Sequence, residues 1–322
     1  MPAAAATAIC SFSAGVDANE PLYTKNLGPA AGLFGLPSQR NAATLAAGQF
    51  AAALHTSVAN HYVSDSDENE LLNFDGETLR IALEARVGLA DGWDLQLEVP
   101  WLDHSGGNLD KIIDNWHDLW GMPDGGRPQV ERDLLDYRYL GQGETFLLED
   151  DASGIGDINL SLTHRFYEVE TASASVALGY KFATGDEAEF LGSGAQDVWV
   201  AVRFSGEHLS DLPLRWHGHL GYLYAGDSDL LGKIQEQNLW FLGLAMDWIV
   251  APAWSIITQV DAHAAVAESD IAGLGDETIM LTVGGRWRLN RDFALDISVV
   301  EDIRVETAPD VTFQMSLRYR PE

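Results

Sequence analysis

The chain lacks any apolar run long enough to cross a bilayer as a helix: nowhere do eighteen apolar residues follow one another. It holds one cysteine, Cys10, so no intrachain disulfide can staple the fold, and cysteine usage says little about redox compartment. Basic residues are scarce, with 19 Lys and Arg against 49 Asp and Glu and a formal net charge of −30. A polyanion would be repelled by that balance, which excludes nucleic acid as a partner. Gly-x-Ser-x-Gly, a P-loop and a dinucleotide fingerprint are all absent. No linker or shift of composition divides the 322 residues, so one domain is expected.

What the chain does have is apolar/polar alternation, repeated in about twelve segments. Leu79, Ile81, Leu83, Ala85, Val87 and Leu89 share one face, and Thr78, Arg80, Glu84 and Arg86 take the other. After Ala90-Asp91-Gly92 the pattern resumes with Trp93, Leu95, Leu97, Val99 and Trp101 against Asp94, Gln96 and Glu98. A period of two means strands, and so short a break means an antiparallel hairpin. The apolar face is nearly pure while the polar face carries charges. A membrane barrel does this, turning the first face to lipid and the second to its lumen.

Further strands follow at 45–62, 155–167, 172–183, 198–204, 214–224, 240–248, 254–260, 279–289, 293–299 and 311–319. With the hairpin these make twelve. Short turns near 90–92, 168–171, 205–213, 250–253 and 290–292 alternate with longer connections near 63–71, 105–154, 184–195, 225–237, 264–277 and 303–310. The expected fold is therefore all-β: a closed antiparallel transmembrane barrel in the bacterial outer membrane, with short periplasmic turns and long outer loops. An even strand number closes the sheet and leaves no edge.

Trp93 and Trp101, Trp240 and Trp248, and Trp254 fall at the ends of outward faces and are read as the membrane girdle. The expected lumen lining comprises Arg80, Glu84, Arg86, Asp94, Glu98, Lys181, Asp197, Arg203, Arg215, His217, His219, Asp247, Asp261, Arg286, Arg288, Asp296 and Arg318. Both signs are interspersed there, so neighbours can pair across strands, and unpaired burial would be costly. His217 and His219 share one face, but a charged lumen needs no metal ion to explain them, and no metal or cofactor is expected. Acids concentrate in the long loops, at Asp65, Asp67, Glu68 and Glu70, at Glu149–Asp151, at Asp186, Glu187 and Glu189, and around Asp227, Asp229, Glu268, Asp270, Asp276 and Glu277. Facing lipopolysaccharide, they would be bridged to it by divalent cations; the plainer reading is a polar exposed surface.

Residues 1–18 resemble a secretory signal shortened at its positively charged end. Residues 19–44, with Pro21, Pro29 and Pro37 and no period, read as an irregular segment folded into the barrel mouth, ahead of a barrel domain at 45–322. The longest connection, 105–154, has a composition of its own. Ile112, Ile113, Trp116, Leu119 and Trp120 fall at helical spacing, predicting a short helix over 109–120 that Gly121-Met122-Pro123 ends. That loop, with Trp116, His117, Asp118, Trp120 and Arg127, is the expected gate or lid. No catalytic residues are assigned, although His164 interrupts an apolar outward face and keeps an outer-membrane lipid hydrolase open as an alternative.

Leu72-Asn73-Phe74-Asp75-Gly76-Glu77-Thr78, Glu98-Val99-Pro100-Trp101 with His104-Ser105-Gly106-Gly107, and Trp116-His117-Asp118 running into Gly121-Met122-Pro123-Asp124-Gly125-Gly126-Arg127 carry a resemblance. So do Phe182-Ala183-Thr184-Gly185-Asp186 and Leu191-Gly192-Ser193-Gly194-Ala195-Gln196-Asp197. Together they resemble an uncharacterised bacterial family, domain of unknown function 3187. The resemblance implies an outer-membrane setting and supplies no substrate or catalytic residue. The chain departs from many such barrels in ending on Arg320-Pro321-Glu322 after Tyr319 rather than on an aromatic residue. A channel or transporter for small solutes is the leading functional reading, and a plugged structural or surface-interaction barrel the other.

Overall fold

The computed structural model describes residues 20–107, 134–207, 212–304 and 306–321. Their strands, in chain order, are β1 (Phe50–Ser66), β2 (Glu70–Ala90), β3 (Trp93–Ser105), β4 (Asp136–Gly141), β5 (Glu144–Leu148), β6 (Ala152–Ile155), β7 (Asn159–Val169) and β8 (Ala172–Lys181). They continue as β9 (Asp197–Glu207), β10 (Leu214–Ala225), β11 (Asn238–Ala251), β12 (Trp254–His263), β13 (Thr278–Arg288), β14 (Phe293–Asp302) and β15 (Val311–Tyr319). Twelve of them, β1–β3 and β7–β15, close into an antiparallel barrel. Closure comes from the first and last strands, Ala52 opposite Tyr319 through Asn60 opposite Val311. Every other step joins sequence neighbours, except that β3 turns to β7 across the long connection.

That connection is not simply a loop. Its described part adds a β4–β5 hairpin to the outer end of β2, Glu70 opposite Gly141, and a short β6 to the outer end of β3, Trp101 opposite Ile155. Pro100 stands where β3 changes partner from β7 to β6. A residue without an N–H suits the place where a ladder is handed over, and its carbonyl accepts from Gly156 N at 2.9 Å. The predicted loop at 63–71 is mostly strand as well, with β1 and β2 running to Ser66 and from Glu70. At about 3.3 Å per residue, the 21 residues of β2 extend roughly 70 Å, far beyond an apolar band of about 25 Å. The first strand starts at Phe50, not near 45. The helix predicted over 109–120, with Trp116, His117, Asp118, Trp120 and Arg127, and the signal-like residues 1–18 lie outside the described residues.

The alternation sorts as expected. Leu83, Leu178, Leu220, Leu244 and Ile297 are exposed on the outer wall, Leu244 at 66% in mid-β11. Trp93, Trp240, Trp248 and Trp254 are exposed and Trp101 half-buried on the same face. Trp254 and Trp287 stack on neighbouring strands at 5.2 Å. The largest apolar cluster is inside the outer end instead, where Leu33 and Phe34 meet Leu72, Tyr137, Phe146, Phe190, Ile234 and Leu274. Outer connections thus roof the barrel with side chains that the charged lumen below does not use. Placing a charge on the lipid face should be costly: Leu244→Arg is expected to lose about 2–4 kcal/mol, against a small loss for Leu244→Ala. Urea unfolding in lipid vesicles reads both.

Candidate functional site

Residues 20–45 run inside the barrel, up one side and back down, with their turn at Ala30–Phe34 under the apolar roof. This corrects the expectation of a segment at the mouth. Pro21, Pro29 and Pro37 deny it the N–H groups a strand needs, and wall side chains take the place of a ladder. Gly35 N donates to Asp197 Oδ2 at 2.7 Å, Ala42 N to Ser205 Oγ at 2.9 Å and Leu45 N to Asp94 Oδ2 at 3.0 Å. Its carbonyls accept in turn, Pro21 O from Arg318 at 3.0 Å, Leu33 O from Lys181 at 2.8 Å and Ala43 O from Arg86 at 2.6 Å. Asn26 reaches His263 Nε2 at 3.0 Å near the outer end, and Tyr23 stacks flat on His55 at 3.8 Å.

The predicted lumenal charges all face inward; most are buried, while Arg215 and Arg288 are half-buried toward the short-turn rim. Many pair as cross-strand neighbours. Arg286, fully buried and opposite Asp296 in the ladder, meets it at 2.6 Å, and Arg318 takes the other carboxylate oxygen at 2.7 Å. Arg86 holds Asp94 at 2.7 Å, Arg80 holds Glu98 at 2.6 Å, and Lys181 lies 3.4 Å from Asp197. Arg215 stands 3.7 Å from Asp247, and His219 Nε2 4.0 Å from Asp261. His217 Nδ1 lies 3.0 Å from Ser205 Oγ.

Sequence reasoning missed the half of the network that belongs to the N-terminal segment. Glu84 and Glu98 lie directly opposite each other on β2 and β3. Like charges so placed are destabilising, and each receives a cation from residues 20–45. Arg40 reaches Glu84 at 2.6 Å and Lys25 reaches Glu98 at 3.7 Å, while Glu20 accepts from Arg86 at 2.8 Å. Asp157, just before β7, completes the set by holding Lys181 at 2.7 Å. Trp199 was also missed: it points inward, lying over Gly179 of β8, where a Cβ would come within 2.0 Å of the ring. Parity along β9 gives that direction, but a tryptophan draws the eye to the membrane girdle.

A cavity of about 20 Å³ lies beside Gly28–Ala31, and two larger ones, of about 80 Å³ and about 30 Å³, separate the segment from the wall. Lys25, Pro37 and Asn159 border both, so they adjoin along the barrel axis. Elsewhere, His164 stacks on Trp93 at 4.1 Å by the β2–β3 turn. Asp67, Glu70 and Asp270 bring carboxylate oxygens within 4.8 Å of one another at the outer rim. Glu70 there accepts from Tyr139 at 2.6 Å, Gln142 at 2.7 Å, Ser269 at 2.9 Å and Asp270 N at 2.9 Å, tying the β4–β5 hairpin to the 264–277 connection.

A closed wall, apolar outside and charged within, defines an outer-membrane β-barrel. The chain belongs to the family described as protein of unknown function (DUF3187), whose model matches residues 3–321. No curated protein matches it in sequence. In fold it is similar to an outer-membrane channel from Pseudomonas putida F1, at TM-score 0.56 and 16% identity over 87% of this chain and 97% of that one. Weaker likenesses are to the NanC porin (TM-score 0.48, 8% identity, 84% and 99% covered) and to the toluene transporter TbuX of Ralstonia pickettii (0.42, 11%, 96% and 97%).

Two outcomes follow from these contacts. Arg40→Ala should destabilise the barrel by about 3–5 kcal/mol, because it strands buried carboxylates. Adding Glu84→Gln should recover part of that loss in thermal unfolding followed by heat-modifiable gel migration. At the outer rim, burial of Glu70 opposes its charge, yet the hydrogen bonds from Tyr139, Gln142, Asp270 N and Ser269 outweigh this and hold its pKa at about 2. A depressed carboxylate stabilises fully above its ordinary value of 4.5 and loses that contribution as pH falls toward about 2. Hydrogen-exchange protection factors of residues 136–148, corrected for the intrinsic pH dependence of exchange, should therefore fall across that window, and Glu70→Gln should flatten the response.

Proposed function

We propose that the protein is a channel for small solutes whose lumen is occupied by its own N-terminal segment, so that conduction requires residues 20–45 to shift. The observation that carries this reading is how the segment is held. No strand ladder joins it to the barrel wall among the described residues; side-chain hydrogen bonds and ion pairs do. Such contacts each contribute only about 1–3 kcal/mol net, since water can replace them when both partners are solvated. A wall lined with paired charges stays solvated when the segment moves, whereas an apolar core would not. The adjoining cavities beside Lys25 and Asn159 mark the side on which the filling is loosest. The fold shared with the Pseudomonas putida F1 channel supports the reading at the level of architecture.

The apolar roof favours a second reading, a permanently filled structural barrel. Thr24 and Thr282, whose hydroxyls lie 3.0 Å apart, allow the two to be separated. With Cys10 replaced by serine, a Thr24→Cys/Thr282→Cys disulfide should abolish single-channel openings in planar bilayers, and a reductant should restore them. A wild-type barrel that is correctly folded by heat-modifiable migration, yet electrically silent, would decide for the filled structural barrel.

A further inference from the structure

Arg203 is the buried lumenal cation that the N-terminal segment leaves without an acid. It lies in mid-β9 at 2% exposure, its Nη1 donating to Thr163 Oγ1 at 3.2 Å and its guanidinium carbon 5.9 Å from the centre of the Trp199 ring. No carboxylate comes within 4.0 Å of it among the described residues, whereas Arg40, Arg80, Arg86, Lys181, Arg286 and Arg318 each hold one. Its Nε is buried without a partner, and Nη2 makes no hydrogen bond among the described residues. One whole edge of the guanidinium fork is thus uncommitted.

The neighbours extend this uncommitted edge into a patch. Ser175 of β8 and His219 of β10 stand directly opposite Arg203 in the two ladders. Ser175 Oγ and His219 Nδ1 are likewise buried without hydrogen-bond partners. Arg203 and Trp199 border the cavity of about 30 Å³ together with Ser161 and Asn159, and with the carboxylates Glu20, Glu84 and Glu98, which Arg40 and Lys25 hold. A desolvated cation and unsatisfied polar atoms on three adjacent strands are costly unless something completes them.

We infer that this patch binds the carboxylate group of a small monovalent organic acid, and that it is the selectivity point of the lumen. The free Nε/Nη2 edge offers two parallel N–H groups at the spacing of a carboxylate's oxygens, which a spherical anion cannot use together. The cavity is lined by four cations, Lys25, Arg40, Arg203 and Arg318, against three carboxylates, and one charge in excess calls for a monovalent partner. A cavity of about 30 Å³ admits the acid group alone, with the rest of the solute extending toward the larger cavity. As a selectivity point the patch rests on the channel reading, but binding is measurable without conduction.

The test is calorimetric titration of the detergent-solubilised full chain with acetate, chloride and acetamide. Acetate should bind and acetamide should not, with chloride weaker than acetate. Arg203→Gln should weaken acetate by at least about tenfold, the loss of one charge-assisted contact. Arg203→Lys, which keeps the charge without the fork, should fall between, and it serves should the glutamine variant not fold. Equal binding of acetate and acetamide, equal binding of acetate and chloride, or an unchanged acetate affinity in Arg203→Gln would overturn the assignment. A barrel that conducts but ignores acetate also ends it while leaving the channel reading intact. Acetate binding by an electrically silent barrel supports the patch and removes the channel.

Discussion

The opposed pair Glu84 and Glu98 is the constraint on which the interior depends. Two carboxylates directly across a ladder repel, and a closed wall gives neither a way out to solvent. Arg80 compensates one of them from the wall itself. The other compensation comes from Arg40 and Lys25, which belong to a segment that is no part of the sheet. The filling of the lumen is therefore written into the wall: an empty barrel would present this acid pair with one cation short. Glu20 completes the exchange by lending a carboxylate to Arg86, which already serves Asp94. Charge crosses between segment and wall in both directions, and neither is balanced alone.

This explains which parts of the structure are legible in the sequence. A period of two states which face each side chain takes, and a nearly pure apolar face opposite a charged one states that the sheet has closed around water or polar atoms. Strand number, the turns and the direction of each lumenal charge follow from that parity. The course of residues 20–45 does not, because nothing local encodes it. Gly35 finds Asp197 across half of the chain, Pro21 finds Arg318 across nearly all of it, and the segment has no period to register against. Loop boundaries were misread for a related reason. The outer parts of β1 and β2 and the β4–β5 hairpin bury Phe74, Tyr137, Tyr139 and Phe146 inward. Their alternation is aimed at a roof rather than at lipid, and Asn73, Asp136, Arg138 and Thr145, interspersed with Leu71, Leu140 and Leu147 on the outside, give them the look of a solvated loop.

The two ends of the lumen are closed by different physics, and this bears on how the proposed channel would open. At the level of Arg86, Arg286 and Arg318 the segment is held by ion pairs and hydrogen bonds, each exchangeable with water at small net cost. At the outer end Leu33 and Phe34 are buried among Phe190, Ile234 and Leu274, and withdrawing them exposes apolar area at about 25 cal/mol per Å². The turn at Ala30–Phe34 is then the tighter anchor, and the descending limb from Gly35 to Leu45 is the part that can move first. That limb lines the cavity of about 30 Å³ through Pro37, Ser38 and Arg40, across from Trp199 and Arg203. A displacement beginning there widens the space beside the uncommitted guanidinium edge before it disturbs the roof. The loosest part of the filling thus faces an unsatisfied part of the wall, which is what the proposed channel requires.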